Sequence, residues 1–157
     1  MRRIAATAAL AASVLTAAGC GSDSSAGAWV APSVDVSANS TEVCAETKKL
    51  VRGSMTQLSQ SLATLMTVKP DDTAAQERAI GTVKNIFTQW ATGMREQAGK
   101  AADPGLKSGL TDSAAGLETA VAQIKTFDDL ERAGGALNNP RMEEAGKKME
   151  KVCGRIP

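Results

Sequence analysis

Cys20, Cys44 and Cys153 are the three thiols of this 157-residue chain, which has no histidine and no tyrosine. A thiol can take a covalent group, pair with a second thiol or ligate a soft metal. The missing imidazole removes histidine general bases, His–metal ligation and Ser-His-Asp catalysis. Two thiolates would need two further ligands to hold zinc, so no metal is expected. Carboxylates stand side by side at Asp71-Asp72, Asp128-Asp129 and Glu143-Glu144. Sequence neighbours point apart on a helix, so none is set up as an acid/base pair. The first two pairs read as helix caps or starts, the third as a solvated first turn. Met55, Met66, Met94, Met142 and Met149 offer thioether sulfur, which suits Cu(I). Their spacing is too loose for that, and filling an irregular core is the better account. Phe87 and Trp90, three apart, could floor a pocket for a small apolar ligand, or form the widest layer of a core. The glycines lack the spacing of a phosphate loop, and the basic residues are interleaved with acids with no aromatic platform for nucleic acid. No catalytic residue and no cofactor is nominated.

The front of the chain carries a different kind of chemistry. Arg2-Arg3 precede an apolar run over residues 4–18, about 15 residues, short of the ~20 needed to span a bilayer. The run closes on Leu15-Thr16-Ala17-Ala18-Gly19-Cys20. This segment resembles the lipobox of bacterial lipoproteins. The resemblance implies cleavage ahead of Cys20, a diacylglyceryl group with its palmitate-type chains on the Cys20 thiol, and a lipid anchor in the cell membrane on its extracytoplasmic face. The alternative is an ordinary secretory signal with an incidental Cys20. The small residues after Arg2-Arg3 favour the general secretory route over twin-arginine export.

Loss of residues 1–19 would leave about 138 residues, enough for one domain, with sixteen basic against seventeen acidic side chains. That balance gives no reason to expect nucleic acid or a strongly anionic surface as partner. The organisation expected is a signal peptide over 1–19, a lipidated flexible tether over 20–39 and a helical domain over 40–157. The tether is rich in Ser, Gly, Ala, Asp and Pro. Trp29-Val30 interrupts it, an apolar pair that could dock on the domain, dip into the lipid interface or simply be tolerated.

Beyond the tether, apolar residues recur at helical spacing. A first helix is expected from Ser40 or Thr41, with Asn39 and Glu42 as a capping-box variant. Its stripe is Val43, Leu50, Val51, Ser54, Leu58, Leu62, Leu65 and Met66. Lys69-Pro70-Asp71-Asp72 ends it and starts a second, striped by Ala79, Val83, Ile86, Phe87, Trp90 and Met94. Asp103-Pro104 opens a third, where proline's missing N–H costs nothing. Leu106, Leu110, Leu117, Val121 and Ile124 form its stripe. Residues 127–133 could add a short turn before Gly134-Gly135 interrupts it. Asn139-Pro140 opens the last helix, with Met142, Ala145, Met149 and Val152 facing one way and Gly154 as its stop. No strand-like alternation occurs, so the fold expected is all-α, an up-down-up-down four-helix bundle.

In such a bundle the start of the first helix and the end of the last meet at one pole, which makes a Cys44–Cys153 disulfide geometrically natural. Two free buried thiols are the alternative. A bridge closing so long a loop destabilises the unfolded chain by roughly 4–5 kcal/mol in the entropy model. Gly53, Gly81, Gly93, Gly109 and Gly116 fall inside expected helices, each at about 1 kcal/mol relative to Ala. They admit close helix contact or leave shallow grooves. Cys44 opening a helix, Trp90-Ala91-Thr92-Gly93-Met94-Arg95, Ala102-Asp103-Pro104-Gly105-Leu106-Lys107 and the closing Val152-Cys153 together resemble small, alanine-rich, two-cysteine lipoproteins of actinobacteria. The resemblance implies the helical fold and the disulfide, and carries over no catalytic residue.

The function expected is that of a non-catalytic envelope lipoprotein, bound to the membrane through Cys20, whose domain binds another envelope protein or stabilises an assembly. The second reading is a carrier or receptor for a small apolar ligand or lipid, seated near Phe87 and Trp90.

Overall fold

A computed structural model describes residues 35–156, the side chains of Glu131, Ala133 and Ala136 aside. The lipobox with Cys20, the tether up to residue 34 and Trp29-Val30 lie outside the described residues. The described residues form five helices: α1 Val36–Leu65, α2 Thr73–Lys100, α3 Pro104–Gln123, α4 Asp128–Ala136 and α5 Pro140–Cys153. No strand occurs among the described residues.

Three of the helix starts follow the cap residues read from the sequence. Asp72 accepts the Ala75 N–H at 2.8 Å, Asp103 accepts that of Leu106 at 2.7 Å and Asn139 accepts that of Met142 at 3.0 Å. Pro104 and Pro140 occupy the first turns, where an N–H is orphaned in any case. Gly154 ends α5 with φ 66°, a conformation that residues with a Cβ rarely adopt.

The first helix departs from expectation. It starts at Val36, and Asp35 caps it by accepting the N–H groups of Ser37 and Ala38 at 2.9 and 3.1 Å. Residues 36–39, expected in the tether, are therefore helical. Asn39 does not cap. Its Nδ2 donates to the Lys100 carbonyl at 3.0 Å and its Oδ1 accepts the Ala102 N–H at 2.8 Å. This long-range double bond ties the start of α1 to the α2–α3 junction, and Asp35 supplies the cap.

The second departure is α4. Gly134-Gly135 do not interrupt it, and the helix runs on to Ala136. Its N-cap position, Phe127, makes no side-chain bond, and Asp129 instead braces the turn that leads into the helix. The Asp129 carboxylate accepts the backbone N–H groups of Lys125 and Thr126 at 2.9 and 2.7 Å and the Thr126 hydroxyl at 3.0 Å. These bonds hold the Asp129 carboxyl at a pKa of about 2, well below the usual range. The described residues thus form five helices rather than four.

Cys44 and Cys153 are disulfide-bonded, with Cα atoms 5.3 Å apart, within the range such bonds require. The core is centred on α3, whose Leu106, Leu110, Ala114 and Leu117 are fully buried. Helix α2 packs against it with Val83, Ile86, Phe87, Trp90 and Met94, and α4 and α5 pack on it as well. Helix α1 rests chiefly on α2 and meets α5 over much less surface.

Glycines set the closest approaches. A Cβ on Gly109 would lie 2.8 Å from Met149 Cγ and 2.9 Å from the Ala145 carbonyl oxygen, and one on Gly116 would collide with the Met142 thioether. Both seat α5 against α3. Gly93 admits Leu50 of α1 in the same way, whereas Gly53 and Gly81 face open space.

Candidate functional site

Helix α1 has 30 residues and α5 has 14, about 45 Å against about 21 Å of axis. The apolar stripe of α1 therefore continues beyond anything α5 can cover. Leu58 and Leu65 are half-buried, Leu62 is 46% exposed, and Met66 just past the helix end is 90% exposed. Leu62, Leu65 and Met66 form one wall of an open cleft of about 280 Å³, with Phe127 and Leu130 as the other.

The Asp129 carboxylate braces that second wall. It fixes residues 125–130, so half-buried Phe127 and buried Leu130 are presented by a braced turn. Arg132 adds an ion pair to Asp129 at 2.7 Å. The five lining side chains carry no charge and no catalytic group. Such a surface can bury apolar area of a partner, and exposed methionine adapts to irregular shapes.

A second, larger cleft of about 710 Å³ lies at the disulfide pole. Val36, Thr41, Cys44, Ala45 and Lys48 of α1 face Val152 and Cys153 of α5 across it, with Asp103 at its edge. Lys48 Nζ donates to the Cys153 carbonyl at 2.7 Å. Its charge thereby sits at the carboxyl end of α5, where it complements the helix dipole.

Phe87 and Trp90 do not line either cleft. They are 1% and 7% exposed and belong to the core. The Trp90 indole N–H and the Thr47 hydroxyl, on the packed helices α2 and α1, are buried without a hydrogen-bond partner. Sequence reasoning placed the candidate ligand residues at the aromatic pair and missed Leu62, Met66, Phe127 and Leu130 as a group. The available signal was the length mismatch between the first and last apolar stripes.

The methionines divide by position. Met94 and Met149 are buried and Met142 fills the space at Gly116, as core packing requires, while Met55 and Met66 are exposed. Among the described residues, no three or more Cys, Asp or Glu side chains cluster in a way that could hold a metal ion.

Charged side chains pair off on the surface. Arg95 makes two 2.6 Å hydrogen bonds to Glu118, holding that carboxyl below its ordinary pKa. Asp112 joins Lys148 at 2.8 Å and Arg141 at 3.3 Å, which lowers its pKa and links α3 to α5. Glu143 and Glu144 both pair with Lys147 in the first turns of α5. Of the carboxylate pairs, Asp72 caps α2 and Asp128 begins α4, in line with the expectation that these pairs cap or start helices.

No helix among the described residues is long and apolar enough to cross a membrane. Compared with known proteins, the chain matches no protein-family model, no curated protein and no solved structure.

Proposed function

We propose that this protein is a membrane-anchored lipoprotein of the cell envelope whose helical domain is a non-catalytic protein-interaction module. In this reading residues 1–19 are removed, Cys20 carries the lipid on the extracytoplasmic face, and α1, α2, α3 and α5 form an up-down-up-down bundle with α4 as an insertion. The pairings of Asn39 with Lys100, Leu50 with Gly93, Lys84 with Ile124 and Gly109 with Met149 support that topology. The lipobox resemblance supports the anchor.

The observation that carries the interaction reading is the apolar cleft formed by Leu62, Leu65, Met66, Phe127 and Leu130. It stands at the end of α1 opposite Asp35. A photo-crosslinking residue at position 66, in cells of the native host, tests this. One discrete protein adduct is expected at 66, lost with Leu62→Glu and absent from a probe at exposed Lys107. Equal labelling at both positions, or none at 66, refutes it.

The apolar lining of the same cleft favours a second reading, a carrier for a small apolar ligand. Native mass spectrometry of the protein from its own membrane separates the two. A discrete small-molecule adduct that survives removal of bulk lipid supports the carrier, and a stoichiometric protein partner without one supports the module.

A further inference from the structure

The Cys44–Cys153 bond joins two helices that are each anchored elsewhere. Helix α1 is held on α2 by Leu50 against Gly93, and at its start by the Asn39 double hydrogen bond. Helix α5 is held on α3 by Met142 at Gly116, by Ala145 and Met149 at Gly109, and by the Lys148–Asp112 ion pair. All of these α5 contacts lie before residue 150. The last turn of α5 is tied to α1 by the disulfide and by Lys48 Nζ on the Cys153 carbonyl, beside the partial packing of Val152 and Ile156 against the core. Cys44 and Cys153 also form part of the wall of the 710 Å³ cleft, and Cys153 is only half-buried, so the bond faces a space that another molecule can enter.

We propose that this disulfide is a redox clasp. A protein dithiol of the thioredoxin type opens it, and opening frees the last turn of α5 from α1 while the rest of the domain stays folded. In the exchange a thiolate of the dithiol attacks one sulfur of the pair, forming a mixed disulfide and expelling the other cysteine as thiolate. The second thiol of the reductant then attacks the mixed disulfide. The protein leaves with two thiols and the reductant with one disulfide, two electrons and two protons having passed. The consequence is local, because residues 150–156 lose their covalent hold and the cleft between Thr41, Ala45, Lys48 and Val152 widens. The clasp is independent of lipid attachment and of the apolar cleft formed by Leu62 and Phe127.

The test is reduction of the full chain by a small dithiol without denaturant, followed by alkylation, limited trypsin digestion and Trp90 emission. Trp29→Phe makes Trp90 the sole tryptophan. Two newly alkylated thiols are expected, with unchanged helicity and unchanged Trp90 emission. Cleavage after Lys151 should accelerate about tenfold or more, ahead of any at Lys84 or Arg95 in α2. The C44S/C153S variant should reproduce that digestion pattern without reductant. A bond reduced only in denaturant, or cleavage at Lys84, Arg95 and Lys151 in step, overturns the clasp. So does a double variant that cannot fold.

Discussion

Gly109 of α3 lies against the backbone carbonyl of Ala145 on α5, so close that a methyl group on Gly109 would sit 2.9 Å from that oxygen. A side chain in the way could rotate, but a backbone carbonyl moves only if the helix moves. Gly109→Ala gains about 1 kcal/mol of helix propensity and incurs an overpacking cost of roughly 1–3 kcal/mol. The net expectation is a loss of about 1 kcal/mol, seen as a lower thermal midpoint. Gly53→Ala, facing open space, should instead raise it by about 0.5–1 kcal/mol. Equal effects at the two sites would contradict the packing described for α3 and α5.

Replacing Cys44 by serine removes a crosslink that spans 109 residues. The unfolded chain then regains entropy worth roughly 4–5 kcal/mol, so the thermal midpoint should fall steeply while far-ultraviolet dichroism at low temperature stays helical. A variant midpoint equal to that of the oxidised native protein would show that the bond adds no stability.

Acid should weaken the domain through Asp129. Its folded pKa of about 2 lies below the ordinary carboxylate value, so the carboxylate's contribution is complete above about pH 4. It is lost as pH falls through the folded value. Asp112, Glu118 and Glu143 are lowered too and act with the same sign. Asp129→Asn should flatten the fall of thermal midpoint between pH 4 and pH 2. A curve parallel to that of the native protein would remove Asp129 from this role.

Met66→Glu should leave stability within about 0.5 kcal/mol, because the side chain is 90% exposed. Leu117→Glu, at a fully buried position, should prevent folding. If Met66→Glu also lowers the thermal midpoint, the residue belongs to the fold rather than to an open surface.

Cys20→Ala should leave the precursor resistant to globomycin-sensitive processing and free of lipid label. Membrane labelling that persists in this variant would end the lipoprotein proposal.

The sequence made legible those features that depend on a few adjacent residues. Asp103-Pro104 and Asn139-Pro140 start helices because a cap oxygen and a missing N–H act within one turn. The stripes of α2 and α3 face the core where their periodicity placed them, with only Ala79 and Val121 half-buried. Features set by distant partners were not legible. Asn39 has the composition of a cap but bonds residues more than sixty positions away, leaving the cap to Asp35. Gly134-Gly135 read as a break because their local preference is poor, yet the bracing by Asp129 at the start of α4 prevails. The apolar cleft showed in the sequence only as a difference in length between the first and last apolar stripes. Leu62 looks like core by periodicity, and only the shortness of α5 leaves it outside.

The double hydrogen bond of Asn39 also decides how α1 answers a mechanical load. A pull on the backbone at Asp35 enters α1 at its first turn and tends to peel the helix away from α2. Asn39 resists at the outset, and Cys44 stops the peeling with a covalent bond, so while that bond is intact only residues 35–43 can unravel. Force beyond that point is carried through Cys153 into α5, and from there by its seat on Gly109 and Gly116 into the centre of the core.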